Sequence, residues 1–199
     1  KKQQYFCKNC NKRFLDFYTY QAYRFGIDND IVALTKEGTG IRSTATLLKI
    51  SPTTLLARII TIAKNIVQPY IPKGKIYQVD EMRTYVKRKD KHIWIVYALE
   101  KQTKNVVCFN IGRRTNKTLK KVITSLELSE AEKIITDKLK NYKFLIKPEI
   151  HSTKFRGINH IERKNLTLRT HLKRLNRKTI CFSKSLVILN AILKIYFLG

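Results

Sequence analysis

The sequence is poor in acidic residues and lacks the features of secreted and membrane proteins. Only 14 Asp and Glu stand against 41 Lys and Arg, so the formal charge is +27, beyond what solubility requires. Four cysteines do not form a disulfide framework, which indicates a reducing compartment. The longest apolar candidate, residues 185–198, is short and interrupted by Asn190 and Lys194. We therefore expect a cytoplasmic protein with no signal peptide and no membrane partner.

The excess of cations predicts a polyanionic partner. Basic residues are spread along the chain among Tyr, Phe and Ile and are not confined to one amphipathic helix. This distribution favours nucleic acid over an anionic membrane. A chain of 199 residues can bury the core of one ordinary domain and of a smaller one.

The first predicted segment, residues 1–25, is a basic arm with a Cys-x-x-Cys pair. Cys7 and Cys10 could place two thiolates on one Zn²⁺ ion, as in one half of a zinc ribbon. Tetrahedral zinc needs four ligands, and no second pair lies nearby in the sequence. Two hypotheses therefore stay open, a half zinc site whose other knuckle is missing here, or two free surface thiols.

Residues 26–74 have the pattern of a three-helix DNA-binding region followed by a linker. Gly38 ends the first helix, whereas Ser51 and Pro52 open the third, which we expect to reach about Val67. A short helix, a tight turn and a helix that begins with small polar residues are typical of a helix-turn-helix. The candidate DNA contacts of the third helix are Thr53, Thr54 and Arg58.

Residues 75–199 are predicted to form a second, α/β domain. Runs of β-branched and aromatic residues separated by charged turns predict an antiparallel meander of three strands. A helix, a buried strand and a basic helix follow, so the order is βββαβα, and a final apolar helix is expected to cover one face of the sheet. The predicted bounds are 76–82, 91–99 and 105–111 for the meander, 116–126, 132–137 and 159–175 for the next elements, and 182–197 for the last helix.

Three carboxylates stand where they could carry chemistry. Asp80 lies within the first strand, Asp137 at the end of the fourth, and Glu162 on the basic helix. A carboxylate in a buried strand needs a cation or hydrogen bonds. If the first and fourth strands are adjacent, these three side chains could hold divalent cations through oxygen ligands. Taken singly, they could equally be a turn residue, a helix cap and a solvated acid.

The residues around these carboxylates resemble the insertion-sequence-one family of DDE transposases. The likeness is carried by Asp-Glu-Met at 80–82, by Thr-Asp at 136–137, and above all by the basic block from His160 to Ser183. Asp137 and Glu162 are separated by 24 residues, which is similar to the spacing in that family. The chain departs from the family pattern at Arg83, where an aromatic residue is expected, and at Lys138, where Gly is common.

The resemblance implies a zinc ribbon, a helix-turn-helix and a ribonuclease H-like catalytic domain in which Asp80, Asp137 and Glu162 bind Mg²⁺ or Mn²⁺. The implied reaction is cleavage of double-stranded DNA at the terminal inverted repeats of an insertion sequence, with transfer of the 3′ ends into target DNA. It also implies a nucleoid-associated bacterial protein, a homodimer or larger synaptic assembly, and Zn²⁺ if the ribbon is complete. The basic block would grip phosphates through Arg163, Lys164, Arg169, Lys173 and Arg174.

Other hypotheses stay open at this point. The chain could be a sequence-specific DNA-binding regulator derived from an inactive transposase, or a nuclease without preference for element ends. Trp94 is expected in the core and not against a base, and His160 is expected to be a hydrogen-bonded neighbour of the site. Strand alternation points Glu81 to the face opposite Asp80.

Overall fold

The computed structural model describes residues 3–16, 19–153 and 159–199. A short hairpin and three helices precede a mixed α/β unit. The hairpin strands are β1 (Gln4–Phe6) and β2 (Arg13–Leu15), and the helices are α1 (Ile27–Lys36), α2 (Ile41–Leu47) and α3 (Pro52–Asn65). The α/β unit contains β3 (Ile76–Tyr85), β4 (His92–Glu100), β5 (Val106–Gly112), α4 (Asn116–Leu128), β6 (Lys133–Ile135), α5 (Tyr142–Leu145), β7 (His151–Ser152), α6 (Asn159–His171) and α7 (Leu186–Leu198).

Five strands form one mixed sheet in the order β5-β4-β3-β6-β7. The first three strands are antiparallel neighbours, so the predicted meander is confirmed. β6 pairs in parallel with β3, and β7 in parallel with β6. The sequence did not predict β7, because a two-residue strand is too short to show any alternation.

The two faces of the sheet bury separate hydrophobic clusters. Tyr77 and Val79 of β3 pack with α4 and α5 on one face. Met82 of the same strand packs with α6 and α7 on the other face. The alternation of side chains along β3 therefore puts Asp80 on the α6 face and Glu81 on the α4 face.

The pairing of β3 with its two neighbours is unequal. β4 accompanies β3 from Tyr77 to Tyr85, whereas β6 pairs only with residues 76–78. Beyond that point, within the described part of the chain, no strand is paired to the second edge of β3 until Val86 bridges to Ser183. The free edge, residues 79–85 of β3, therefore opens beside Asp80.

The helical bundle α1–α3 follows its sequence signals closely. Gly38 has φ +69°, and its N–H donates to the Thr35 carbonyl while the Thr39 N–H donates to the Leu34 carbonyl, which is a Schellman C-cap. The Ser51 side chain accepts a hydrogen bond from the Thr54 N–H and caps α3, as predicted. α3 ends at Asn65 and not near Val67, because Ile66 is already extended.

Helix α7 serves two cores. Leu189 and Leu193 pack in the cluster between the sheet and α6, as expected for a helix that covers the sheet. Ile192 and Ile195 instead belong to the core of α1–α3, with Ile31, Leu55 and Ile59. The last helix thus joins the helical bundle to the sheet.

Three predicted boundaries need correction. β6 ends at Ile135, so Asp137 follows the strand instead of ending it. α6 ends at His171 because Leu172 leaves the helical region, and the chain continues as a 3₁₀ turn, Lys173–Leu175. α7 begins at Leu186 and not at residue 182.

No single helix in the described part of the chain is long and apolar enough to cross a bilayer. Helices α2 and α3 reach the required length and composition only as a pair, which is bent by 102°.

Candidate active site

Asp80 lies at the centre of a small polar network between β3 and α6. The Asn165 amide donates to one Asp80 carboxylate oxygen over 2.6 Å, and the Glu81 N–H donates to the other over 2.7 Å. The Tyr97 hydroxyl donates to the Asn165 carbonyl oxygen over 2.9 Å. Because Tyr97 fixes that oxygen, the NH₂ group of Asn165 must face Asp80.

Asp137 lies next to Asp80 at the end of the parallel pair. Gln78 of β3 is in register with Ile135, the last residue of β6, and Asp137 follows two residues later, close enough to Asp80 for its charge to raise the Asp80 pKa. The Asp137 carboxylate accepts the Leu139 N–H over 3.0 Å, which is an Asx turn and not the cap of α5. Thr136 holds the same turn by donating to the Asp137 carbonyl.

Burial between β3 and α6 raises the pKa of Asp80 to about 6. Burial is the largest cause, and the neighbouring charges of Asp137 and Glu81 add to it. The hydrogen bonds from the Glu81 N–H and from Asn165 act in the opposite direction because they favour the ionised carboxylate. The hydrogen bonds to Asp80 therefore do not offset the combined effect of burial and of the two neighbouring acids on its pKa.

Within the described residues no cation forms an ion pair with Asp80 or Asp137, although the Asp80 charge acts on the Arg169 guanidinium, whose pKa it raises against the larger effect of burial. Five ion pairs occur there, and neither Asp80 nor Asp137 takes part in any of them. In a chain with 41 Lys and Arg and 14 acids, nearby acids without ionic partners are unexpected unless another cation is to be bound. Carboxylate oxygens are ligands that Mg²⁺ and Mn²⁺ accept readily.

Glu162 does not complete a closed cluster. It is exposed on the first turn of α6, three residues before Asn165 and therefore on the same helix face. Glu162, Asn165 and Arg169 line one cleft of about 450 Å³. Among residues 3–16, 19–153 and 159–199, no three His, Cys, Asp or Glu side chains are grouped closely enough to hold a metal ion.

Glu81 lies on the other face of β3, as strand alternation predicts. Its side chain is 2% exposed and forms an ion pair of 2.8 Å with Arg114. The Arg114 guanidinium also lies over the Trp94 ring at 4.4 Å. Burial raises the pKa of the Tyr142 hydroxyl, and the charges of Glu81, Asp137 and Asp80 raise it further. Tyr142 is therefore close to all three acids.

The predicted DNA contacts of α3 differ in accessibility. Thr53 is exposed. Thr54 is partly buried, and its hydroxyl shares hydrogen bonds with Ser51 and Tyr20. Arg58 forms an ion pair of 2.8 Å with Asp28 and donates to the Ala22 carbonyl, so its guanidinium is engaged within the bundle.

The predicted phosphate contacts of the basic block also divide into two groups. Arg163 and Lys173 are exposed, and Lys164 is half-buried. Arg169 is half-buried and donates to the Leu175 and Arg83 carbonyls. The Arg174 guanidinium is buried enough to lower its pKa and donates to the Ser183 hydroxyl, which is a structural contact.

Cys7 and Cys10 lie in the turn of the β1–β2 hairpin. Hydrogen bonds from Cys10 lower the pKa of the Cys7 thiol, which favours the thiolate that zinc needs. No third His, Cys, Asp or Glu ligand joins them within the described residues. The half zinc site therefore stays a hypothesis.

Sequence reasoning did not identify Asn165 or Tyr97 as residues of this site. Asn165 could have been found from its spacing, because residues three apart share a helix face and Glu162 was already a candidate. Tyr97 contributes through its hydrogen bond with Asn165. No local sequence pattern indicates a contact between residues so far apart in the chain. His160, expected as a hydrogen-bonded neighbour, is exposed and lines a different cleft near Ile76 and Lys101.

Comparison with known proteins identifies the family. Residues 75–198 match the family model described as IS1 transposase. The chain belongs to the IS1 transposase family. This IS1 transposase is 35% identical over 113 residues to the insertion element iso-IS1n protein InsB of Shigella dysenteriae, covering 57% of the chain and 86% of that relative. It is 37% identical over 108 residues to the IS1 protein InsB of Shigella flexneri, covering 54% of the chain and 82% of that relative.

Two solved structures are also similar to the IS1 transposase. One is a chain of the simian T-cell lymphotropic virus intasome solved with the PP2A regulatory subunit B56 gamma, with a TM-score of 0.45, 17% identity, and coverage of 85% of this chain and 69% of that one. The other is the HTLV-2 integrase catalytic core domain in complex with magnesium, with a TM-score of 0.40, 17% identity, and coverage of 64% and 86%.

Proposed function

We propose that this IS1 transposase cuts DNA at the terminal inverted repeats of its insertion sequence and joins the freed 3′ ends to target DNA. Asp80, Asp137 and Glu162 would hold Mg²⁺ or Mn²⁺ for both steps. The observation that carries the proposal is the pair Asp80 and Asp137, which has no ion-pair partner among the described residues of a strongly basic chain of this family. A bound divalent ion would supply a nucleophilic oxygen and stabilise the leaving one.

The residues around Asp80 have roles that follow from their contacts. Asn165 and the Glu81 N–H hold both Asp80 oxygens in fixed directions, which preorganises the carboxylate for a cation. Tyr97 keeps Asn165 in the correct amide orientation. The Leu139 N–H does the same for Asp137. These contacts make Asn165 and Tyr97 positioning residues.

Glu162 would be the third ligand. It is about 4.5 Å along the helix axis from Asn165, since each residue of an α-helix rises about 1.5 Å. An exposed carboxylate at that position is free to turn toward an ion held by the aspartates. The family resemblance in the block that follows Glu162 supports the same assignment.

The helices ahead of the sheet support recognition of duplex DNA. α2 and α3 are bent by 102° across a short turn, within the range of about 90–120° for a helix-turn-helix. The first turn of α3 contains no acid and exposes Thr53, so its N-terminus is open to a phosphate or a base edge. The order βββαβα with β6 parallel to β3 supports the ribonuclease H-like assignment.

Cleavage of a duplex that carries the element's own ends tests the proposal. With Mg²⁺ or Mn²⁺, we expect the parent to nick and join such duplexes. Asp80→Ala, Asp137→Ala and Glu162→Ala should each lower the rate by at least about a thousandfold, because each would remove a ligand of the catalytic ion. Glu130→Ala removes an exposed carboxylate paired with Lys73 and should cut like the parent.

The outcomes also separate the proposal from its alternative. A DNA-binding regulator is favoured by one observation, the absence of a closed three-residue metal cluster in the described part of the chain. If the parent binds the element's ends and never cuts them with either ion, the regulator is correct. If all three variants cut as fast as the parent, the active-site assignment is wrong.

A further inference from the structure

A second cleft adjoins the candidate active site along the free edge of β3. It has a volume of about 570 Å³. It shares Arg169, Asn176 and Arg177 with the cleft that contains Glu162 and Asn165. The two clefts therefore form one groove, which leads from Glu162 and Asn165 around the edge of β3 to Trp94.

The walls of this second cleft are strongly cationic. Arg83, Lys89, Arg169 and Arg177 line it, and the only acid that does so is Glu81, which is already paired with Arg114. None of these four cations forms an ion pair within the described residues. Burial lowers the pKa of Arg169, and repulsion by Arg177 and Arg83 lowers it further, while the charge of Asp80 acts in the opposite direction. Such crowding is costly unless an anion is bound.

Hydrogen bonds hold the central cation in place. The Arg169 guanidinium donates to the Leu175 carbonyl over 3.2 Å and to the Arg83 carbonyl over 3.4 Å. It therefore bridges the segment after α6 to the free edge of β3. A cation fixed in this way has little side-chain entropy to lose when it binds a phosphate.

An aromatic platform completes the cleft. Trp94 is directly opposite Arg83 in the β3–β4 register and directly opposite Gly112 on its other side. Gly112 has no side chain, and Thr118 of α4 packs against it so closely that an added Cβ would lie 2.7 Å from the Thr118 hydroxyl. Trp94 lines the cleft, and Arg114, which does not line it, lies over the indole at 4.4 Å and holds the ring in place. This position revises the sequence expectation that Trp94 is purely a core residue, since it is only half-buried.

We propose that this cleft binds an unpaired nucleotide of the DNA strand that passes through the active site. Arg83, Arg169 and Arg177 would hold its phosphates, and the base would stack on the Trp94 indole. Cations that follow a backbone beside an aromatic surface are the usual arrangement for single-stranded nucleic acid. Fully paired DNA keeps its bases stacked inside the duplex, so the site would select frayed or single-stranded ends. This inference rests on the proposed function because it assumes that DNA is the substrate.

The test compares binding of a blunt duplex with binding of the same duplex carrying a short single-stranded overhang. It is done in EDTA, so no chemistry is involved. Trp94 is the only tryptophan, and its fluorescence reports stacking directly. We expect the overhang to quench Trp94 and to tighten binding roughly tenfold relative to the blunt duplex, as stacking of one base allows.

Three variants locate the effect. Arg83→Ala with Arg177→Ala, both at exposed positions, should remove most of the preference for the overhang. Lys120→Ala, an exposed cation on α4 outside both clefts, should leave it intact. Trp94→Phe keeps an aromatic ring, so its binding affinity should still show much of the preference for the overhang.

Equal affinities for the two duplexes with no change in Trp94 fluorescence would overturn the inference. The same result would follow if the overhang preference survived in the double arginine variant. Failure of the proposed function is a different outcome, because it consists of DNA that is bound at the overhang and never cut when Mg²⁺ or Mn²⁺ is added.

Discussion

Asp80 is the residue whose charge state the fold controls most directly. Burial raises its pKa to about 6, the charges of Asp137 and Glu81 add to this rise, and two hydrogen-bond donors oppose it. A raised pKa means that the folded chain resists ionisation of Asp80 more than the unfolded chain does. The contribution of Asp80 to stability is therefore fully present below about pH 4 and is lost as the pH rises through about 6.

Asp80→Asn should remove this dependence. Because one pKa unit is equivalent to about 1.4 kcal/mol, the variant should be more stable than the parent by about 1 to 3 kcal/mol at pH 8 without divalent ions, and no more stable at pH 4. We expect a gain near the lower end of this range, because the amide introduced by the substitution faces the Glu81 N–H, which donates to the carboxylate in the parent. Urea unfolding in EDTA at both pH values measures the difference. If the difference in unfolding free energy between variant and parent is the same at pH 4 and at pH 8, the raised pKa of Asp80 is contradicted.

At the scale of elements, the contact between the α1–α2 turn and the end of α6 depends on one glycine. A Cβ on Gly38 would lie 2.3 Å from the His171 carbonyl oxygen. The residue also has φ +69°, which side chains rarely adopt. The helical bundle and the basic helix therefore approach each other so closely at this point that only a hydrogen atom fits.

Gly38→Ala should separate these elements and cost several kcal/mol of unfolding free energy, on the order of 3 or more, from strain and the backbone clash together. Gly26→Ala is the matched control, since Gly26 has φ +78° but nothing within 4 Å of an added Cβ. It should cost only about 1 kcal/mol. Chemical denaturation of the two variants gives the comparison, and equal losses would mean that the clash with His171 is relieved without cost.

The sequence predicted elements whose signals are local. Ser51 and Pro52 marked the start of α3, and alternation in β3 put Asp80 and Glu81 on opposite faces. The same reasoning could not find the contact of Asn165 with Asp80, which joins residues 85 positions apart. It also could not reveal that Asp28 reaches the guanidinium of Arg58, whose contact with DNA stays a prediction. Sequence patterns therefore could not predict side-chain contacts between residues that are far apart in the chain.

At the scale of the whole molecule, α7 ties the helical bundle to the sheet. Its Leu189 side packs against the sheet and its Ile192 side against α1–α3. A helix shared by two cores cannot leave one of them without exposing the other. We therefore expect one cooperative unfolding transition for the chain.

Ile192→Ala tests this coupling with a signal from the other side of the helix. The substitution removes apolar volume only from the bundle core and should cost about 2 to 4 kcal/mol. Trp94, in the sheet, should nevertheless report a lower midpoint in urea, because the two regions unfold together. Leu189→Ala, on the sheet side, provides the reference. If Ile192→Ala leaves the Trp94 transition unmoved, bundle and sheet unfold independently.

The free edge of β3 has a consequence apart from DNA. An exposed strand edge invites strands of other molecules to pair with it, and natural proteins discourage this with charge. Arg83 and Lys89 stand at this edge and at the turn that follows it, so they repel an identical neighbour. Substitutions that neutralise Arg83 and Lys89 would weaken phosphate binding. They would also remove the charge repulsion that opposes aggregation through this edge.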